Sequence, residues 1–442
     1  MGCQAGKQED SKTRVTIHGT RWFFNNQLIN KSSPAEGLLL NVRMVNSVFE
    51  DRGVAGNQSL SGFDPAKNTN AFISKIPDYL SSGINAFTIS LQGGFPGYEG
   101  AVNTAFNPDG SLREEYLERV KRVIRTCDAS HAAVILSCFY QRQHSHPFSL
   151  DGKESIKKAL KNVVDWITEE KFTNVLLEVS NEYRHGGYRN WADGDWLSSN
   201  EGQVELIQLA RRQNPLLLIS TSGMGGGKLD EKLISAADFL LIHFNNTPLN
   251  DFSARIKELR KYGKPVVCNE DDKLSQAGAM ALSFSVLNGS GWGYMNSAKN
   301  QNVPFEFEGI RDDPVVYKMF KNVTTSEYQI DPAIFNQTFV LITSPNDGQV
   351  FTVGKNVPIQ VSLVNPPDSV PFHVDIMVDN KLFAIANDKF QANWTVGQAG
   401  SFILEAIVRT GNGKELYRSP QVDIIAQPEE NNPNNNKYNR DD

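Results

Sequence analysis

Short apolar runs alternate with amphipathic stretches along the first three quarters of the chain. Most of these runs are almost continuously apolar, which is typical of parallel strands that are buried on both faces of a sheet. The pattern predicts eight strands: Leu38–Val42, Ile84–Leu91, Ala133–Phe139, Val175–Val179, Leu216–Ser220, Phe239–Phe244, Pro265–Cys268 and Gly291–Tyr294.

Between these runs, apolar residues recur every three or four positions, as on the buried face of a helix. Eight alternating strands and helices predict an α/β fold, a closed (β/α)₈ TIM barrel, although the pattern alone does not exclude a doubly wound open sheet. The clearest predicted helices are Leu112–Cys127, Glu154–Glu169, Glu201–Gln213 and Asp251–Lys261.

The pattern changes near residue 337, where short strands with period-two alternation replace the strand–helix units. The turn cluster Thr343 to Gly348 and the strand spacing resemble bacterial immunoglobulin-like modules. We therefore expect a barrel domain at 14–325, a linker at 326–337 and a small all-β, immunoglobulin-like sandwich at 338–428. The predicted strands of the sandwich are Pro358–Val364, His373–Val378, Phe402–Val408 and Val422–Ile425.

The composition is that of an ordinary globular protein, with 442 residues, 40% of them hydrophobic and 21% charged. The formal net charge of −6 offers no basic surface, which argues against nucleic acid as a partner. No apolar run reaches the ~18 residues of a membrane span. Cys127, Cys138 and Cys268 lie in predicted helices or strands and are interpreted as small buried residues, not disulfide partners.

The residues at the N-terminus predict the cellular location of the protein. Cys3 opens a polar segment, and in bacterial lipoproteins a cysteine before a polar tether becomes the lipidated N-terminus. We interpret residues 1–13 as such a tether, which predicts an extracytoplasmic protein, either secreted or anchored to a membrane only through Cys3. The alternative is a disordered N-terminus with an incidental cysteine. The Asn-rich, charged tail at 429–442 is predicted to be disordered.

Two predicted strands run directly into an Asn-Glu pair, at Asn181-Glu182 and Asn269-Glu270. A glutamate at the C-terminal end of a barrel strand points into the cleft where barrel enzymes bind substrate. The two glutamates are 88 residues apart, close to three strand–helix units of about 31 residues each. Two facing carboxylates are the groups that glycoside hydrolysis requires.

The barrel half resembles the clan A glycoside hydrolases, the cellulase-like retaining barrels. In that group an Asn-Glu pair ends the fourth strand and a second glutamate ends the seventh, the positions of Glu182 and Glu270 here. The resemblance implies that Glu182 is the acid/base and that Glu270 is the nucleophile. It also implies that a β-linked glycan is hydrolysed with retention of configuration. We expect no cofactor and no metal.

The same resemblance assigns further positions on the strands. It implies that Arg43 contacts the nucleophile carboxylate and that Asn181 binds the sugar 2-hydroxyl. It also implies that His243 lines the cleft and that Trp292, on the eighth strand, forms an aromatic platform under the reacting sugar.

Two groups of loop residues complete the candidate substrate contacts. His144 and His146 follow the third strand, and either matches a histidine that the family places there. Tyr183 and Trp191 belong to an aromatic-rich loop after the fourth strand. Such side chains stack on the apolar faces of sugars, but they also pin long loops to a barrel.

Electrostatics suggests different states for the paired carboxyls, because two close carboxylates oppose each other's ionisation. We expect Glu270, beside Arg43, to keep its charge and Glu182 to hold a proton. Glu178, four residues earlier, is interpreted as a buried structural carboxylate. Strand alternation predicts that Asn269 faces away from the barrel axis.

The sequence departs from the clan pattern at two positions. Asn245 stands where a tyrosine usually hydrogen-bonds the nucleophile, and Tyr183 stands where proline usually follows the Asn-Glu pair. An alternative is therefore a carbohydrate-binding pseudoenzyme on the same barrel. A third reading, metal-assisted hydrolysis of another bond, would use Asp271 and Asp272, but alternation along a strand sends these two to opposite faces.

Overall fold

The computed structural model describes residues 12–53, 62–93, 101–142, 147–301, 305–335, 337–345, 348–366 and 370–428. They belong to two compact units, Met1–Asp331 and Pro332–Asp442. Cys3, His144 and His146 lie outside the described residues, as does the tail from 429, so what the sequence predicts for them stays a prediction.

An antiparallel meander precedes the barrel. Its strands are β1 (Val15–His18), β2 (Arg21–Phe24) and β3 (Gln27–Leu28). Asn25 and Asn26 form the second turn with φ of 50° and 64°, a left-handed conformation that asparagine tolerates. Trp22 is buried and meets Phe239 of the barrel interior edge to face. The meander therefore packs against the amino-terminal ends of the barrel strands.

Eight parallel strands form the barrel, with a two-stranded hairpin inserted after the second. Together the strands are β4 (Asn41–Arg43), β5 (Ala86–Ser90), the hairpin β6 (Gln92–Gly93) and β7 (Asn103–Thr104), β8 (Ala133–Phe139), β9 (Val175–Ser180), β10 (Leu218–Ser220), β11 (Leu240–His243), β12 (Val266–Glu270) and β13 (Gly293–Tyr294).

Strand pairing closes the sheet on itself. Six strands pair in the order β10-β9-β8-β5-β4-β13, and β11 pairs with β12. Parallel bridges from Ser222 to Leu241 and from Val267 to Gly291 join the two groups on both sides. The predicted (β/α)₈ barrel is confirmed.

Helices alternate with the strands and cover the barrel. Two of them begin with an Asp-Pro pair, in which Asp64 or Asp313 accepts hydrogen bonds from the first turn and proline starts the helix. The helices are α1 (Pro65–Ser81), α2 (Glu114–Ala129), α3 (Lys153–Glu169), α4 (Gly194–Leu197), α5 (Asn200–Gln213), α6 (Glu231–Ala236), α7 (Phe252–Arg260), α8 (Ser275–Leu287), α9 (Ser297–Asn300) and α10 (Pro314–Val323).

The second unit is all β, as predicted. One sheet pairs in the order β14-β16-β19 and the other in the order β15-β22-β20-β17-β18, with β21 beside β20. Val357, Ile376, Leu404 and Ile424 are buried between them. The strands are β14 (Phe339–Ser344), β15 (Gln349–Thr352), β16 (Asn356–Val364), β17 (Phe372–Val378), β18 (Lys381–Ile385), β19 (Gln391–Thr395), β20 (Gly400–Thr410), β21 (Glu415–Arg418) and β22 (Val422–Gln427).

Some predicted boundaries are wrong. Leu216 is 81% exposed, and its N–H binds the Asn214 side chain in a turn, so β10 begins only at Leu218. The seventh barrel strand, predicted to end at Cys268, continues to Glu270. Among the residues that the structure describes, no helix has the length and apolar character that a membrane crossing requires.

One buried carboxylate ties three elements of the barrel together. Asp313 Oδ1 accepts the N–H groups of Val315 and Val316 at the start of α10. Its Oδ2 accepts the N–H of Ser275, at the start of α8, and the hydroxyl of Tyr294 on β13, at 2.7 and 3.0 Å. Asp313 therefore fixes α8 and α10 to the eighth strand of the barrel.

We expect Asp313→Ala to lower the free energy of unfolding of the barrel by about 2–4 kcal/mol, because it removes a helix cap and leaves buried donors without an acceptor. Urea unfolding followed by tryptophan fluorescence measures this, since five of the six tryptophans lie before residue 332. Asp195→Ala, at an exposed position, is the matched control. Equal midpoints for the two variants would contradict the assignment.

Candidate active site

The ends of β9 and β12 bring two glutamates together. Glu182 has φ of 47°, a left-handed conformation that turns its side chain into the cleft just beyond β9. Glu270 is the last residue of β12. One oxygen of each carboxylate and one nitrogen of His243 all lie within 4.8 Å of one another. The two glutamates, predicted from the Asn-Glu pairs, therefore share one site.

Three donors surround the Glu270 carboxylate. Arg43 Nε lies 2.9 Å from Oε2, and Asn245 Nδ2 donates to Oε1 at 2.8 Å. His243 Nδ1 is 3.5 Å from Oε2. The predicted contact of Arg43 with this carboxylate is present in the structure. Asn245, which replaces the usual tyrosine, supplies a hydrogen bond to the same group.

His243 connects the two glutamates. Its ring is fully buried, and Nδ1 lies 3.3 Å from Glu182 Oε1. Nε2 has no hydrogen-bond partner within the described part of the chain, so Nδ1 is the atom placed to carry a shared proton. Burial lowers the pKa of His243, but the charges of Glu270 and Glu182 outweigh burial and raise the pKa above its usual value.

The same contact decides the state of Glu182. Burial raises the pKa of this carboxyl, but the hydrogen bond and charge of His243, with smaller contributions from His185 and Arg43, leave the pKa below its usual value. These directions oppose the expectation that Glu182 holds a proton in the free site. They favour the proton on His243, because the imidazole lies between both carboxylates.

A chain of hydrogen bonds links Arg43 to Glu182. Arg43 Nη2 donates to Asn181 Oδ1 at 3.0 Å, and Asn181 Nδ2 donates to Gln141 Oε1 at 3.1 Å. Gln141 Nε2 lies 3.5 Å from Glu182 Oε2. This chain fixes the amide of Asn181 beside both glutamates, and the second hydrogen on Asn181 Nδ2 can serve a substrate hydroxyl.

The prediction that Asn269 faces away from the barrel axis is wrong. Asn269 Nδ2 lies 3.4 Å from both oxygens of Glu178, a residue on β9 across the barrel. The register between β11 and β12 shifts here, so that Ile242 pairs with Cys268 and His243 with Glu270. The bulge lets Asn269 and Glu270 both reach the interior. Glu178 is fully buried, as the structural interpretation predicts.

Three aromatic side chains are not the sugar contacts that the sequence predicts. Trp292 is fully buried, donates to Asp271 at 2.8 Å and packs on Phe320 of α10, so it faces the helix layer. Tyr183 is 2% exposed and donates to Asn200. Trp191 is 6% exposed and donates to the carbonyl of Gln141. These contacts pin the loop and leave little ring surface for substrate.

The acidic residues after Glu270 are not part of the group of possible metal ligands found among the described residues. Asp271 accepts hydrogen bonds from Trp292 and from Lys273 Nζ, the latter at 2.9 Å, and burial raises the pKa of Asp272 to about 6. Glu182, His243 and Glu270 do form a group of possible metal ligands. A cation there would compete with Arg43 and Asn245, which already engage both oxygens of Glu270.

The cleft contains residues that sequence reasoning missed. Besides Arg43, Asn181 and the two glutamates, it is lined by Tyr140, Gln141, Arg142, His185 and Gln301. Three of these, residues 140–142, directly follow β8. The sequence-based prediction selects His144 and His146 after the same strand instead. The position of residues 140–142 immediately after a barrel strand was the signal that could have identified them.

An eight-stranded barrel that brings two glutamates together from its strand ends defines a glycoside hydrolase. The chain belongs to the cellulase family, glycosyl hydrolase family 5, which matches residues 49–319. A bacterial Ig domain matches residues 339–406. The chain is therefore a glycosidase with an immunoglobulin-like domain.

Solved structures are similar at low sequence identity. The endo-β-1,4-mannanase from Thermotoga petrophila is 13% identical, with a TM-score of 0.47 over 89% of this chain and 98% of its own. The β-mannanase from the blue mussel Mytilus edulis is 13% identical, with a TM-score of 0.48 over 72% and 98%. Comparison with curated protein sequences gave no match. These values transfer no substrate to this chain.

We expect His243→Gln to raise the pKa of Glu182, because burial then acts without the opposing imidazolium charge. Carbon-13 NMR titration of the glutamate carboxyls measures this pKa, with the Glu182→Gln variant used to assign the signal. His18→Gln, at an exposed position away from the cleft, is the control. An unchanged titration of Glu182 in His243→Gln would refute the shared proton.

Proposed function

We propose that this glycosidase cleaves a β-linked oligo- or polysaccharide by double displacement, with Glu270 as nucleophile and Glu182 as acid and base. The observation that carries the proposal is the separation of the two carboxylates, whose facing oxygens lie within 4.8 Å. Retaining glycosidases place their carboxyl groups about 5–5.5 Å apart, whereas inverting enzymes need about 6.5–9.5 Å to admit a water molecule.

In the first step, a Glu270 oxygen attacks the anomeric carbon while Glu182 protonates the leaving oxygen. The proton shared with His243 must then reside on Glu182. A sugar that displaces water from the cleft favours this transfer, because a neutral acid and a neutral imidazole are cheaper to desolvate than an ion pair. His243 Nδ1, 3.3 Å from Glu182, supplies the proton over one hydrogen bond.

In the second step, Glu182 accepts a proton from water, which attacks the glycosyl–Glu270 ester and releases the sugar. Asn181 binds the 2-hydroxyl, where hydrogen bonds strengthen in the transition state. Arg43 and Asn245 stabilise Glu270 when it leaves as a carboxylate.

The stereochemistry of the first product tests the mechanism. We expect proton NMR of early hydrolysis to show the anomer with the configuration of the substrate, and Glu270→Gln to reduce turnover to background. Glu182→Gln should slow substrates with poor leaving groups by about 10²–10⁴-fold but spare activated aryl glycosides in the first step. Glu118→Gln, exposed on α2, is the control. An inverted product would exclude double displacement.

The pseudoenzyme alternative rested on the missing tyrosine. Asn245 donates to Glu270 at 2.8 Å, so the hydrogen bond that the tyrosine would supply is not lost. A protein that binds oligosaccharides with both glutamates intact, yet cleaves none of a broad panel, would restore that alternative.

We expect Asn245→Ala to slow hydrolysis of the glycosyl–Glu270 intermediate by about 10- to 100-fold, because it removes a hydrogen bond, worth about 1.5–3 kcal/mol for a charged acceptor, from the departing carboxylate. The steady-state rate that follows the pre-steady-state release of an aryl leaving group measures this step separately from glycosylation. Asn246→Ala, at the exposed neighbouring position, is the matched control. Equal rates in the two variants would show that the contact with Glu270 is incidental.

A further inference from the structure

The pocket wall is polar and charged rather than aromatic. Of the nine described residues that line it, Tyr140 is the one aromatic side chain, and it is only 6% exposed. The tryptophans predicted to stack on sugar are buried elsewhere. The described part of the wall therefore offers a sugar hydrogen bonds and charge rather than a stacking surface.

Two of the positive groups at the site face the glutamates. Arg43 contacts Glu270 and Asn181, and His243 lies between the two carboxylates. Arg142 adds a further positive charge to the pocket wall. The proposed chemistry assigns it no task, because both glutamates already have cationic partners.

His185 lines the same pocket as Arg142 and presents a defined donor. Its Nδ1 accepts the N–H of Gly187 at 3.0 Å, so in the neutral ring Nε2 carries the hydrogen. Burial lowers the pKa of His185, and the charge of Arg142 lowers it further against the opposing effect of Glu182. The neutral ring thus contributes an N–H group to the pocket that Arg142 and Glu182 also line.

We propose that the substrate carries an anionic group, a uronic-acid carboxylate or a sulfate ester, on the sugar at or next to the reacting position. Arg142 binds this group as a charged hydrogen-bond donor, and the Nε2–H of His185 donates a second hydrogen bond to it. A guanidinium can donate two parallel hydrogen bonds to two oxygens of either anion. This inference rests on the proposed glycosidase function and specifies its substrate class.

Matched pairs of glycans test the charge requirement. One arm compares uronic-acid oligosaccharides with the same molecules after reduction of the carboxyls to neutral hydroxymethyl groups. The other compares sulfated oligosaccharides with their desulfated forms. We expect kcat/KM for the anionic member of one pair to exceed that for its neutral partner at least about 10-fold, and the preference to shrink at 0.5 M salt. The arm that shows the preference identifies the anion.

Substitution of Arg142 tests the residue. Arg142→Gln should reduce the ratio of anionic to neutral kcat/KM by about 10- to 100-fold, and Arg142→Lys should restore part of it. Arg189→Gln removes an exposed arginine from the same loop region and is the matched control. Losses of equal size for anionic and neutral substrates in Arg142→Gln would overturn the proposal, because they would indicate a structural role.

Binding separates this inference from the proposed function. Calorimetry with the Glu270→Gln variant measures affinity for the same pairs without turnover. If neutral glycans are cleaved and bound as well as anionic ones, the substrate class is wrong and the glycosidase mechanism stands. If no glycan is cleaved but Arg142→Gln abolishes a preference for the anion, the mechanism fails and the binding site stands. If no glycan is cleaved and no preference for the anion is measured, both the glycosidase mechanism and the anionic substrate class are rejected.

Discussion

The whole site depends on holding two largely buried carboxylates close together. At a separation of about 5 Å, two negative charges repel by ~3 kcal/mol at an effective dielectric constant of 20. The protein offsets this repulsion with a buried imidazole between the pair and a guanidinium behind one of them. Because the imidazole contacts both glutamates and the guanidinium contacts one, the two carboxylates are not equivalent.

Two irregularities of the backbone make this arrangement possible. Regular strands send successive side chains to opposite faces, so a regular Asn-Glu pair could place only one of its two side chains in the cleft. After β9, the left-handed conformation of Glu182 turns the chain so that Asn181 and Glu182 both reach the site. On β12, the bulge at Asn269 has the same effect one layer deeper. The regular barrel holds the strands rigidly, and these local departures from regular strand geometry bring the reacting side chains into the cleft.

The sequence predicted the architecture well because buried parallel strands and amphipathic helices carry strong, local patterns. It also identified Glu182, Glu270 and Arg43, which lie at or just beyond the carboxyl ends of strands. It failed for Trp292, which the family resemblance assigned to the cleft, because a position on the eighth strand does not tell which side of the barrel wall the ring faces. It failed for the charge state of Glu182 because that state depends on the distance to His243, 61 positions away in the chain.

The burial of Trp292 has a consequence for how this barrel could change during evolution or redesign. Its indole holds Asp271, the residue after Glu270, and packs on Phe320 of the outer helix layer. The backbone next to the nucleophile is thus anchored from outside the barrel, independently of the loops around the mouth. Those loops could be exchanged to accept other glycans while the reacting carboxylate keeps its position. The barrel wall, rather than the cleft, would then limit which variants remain active.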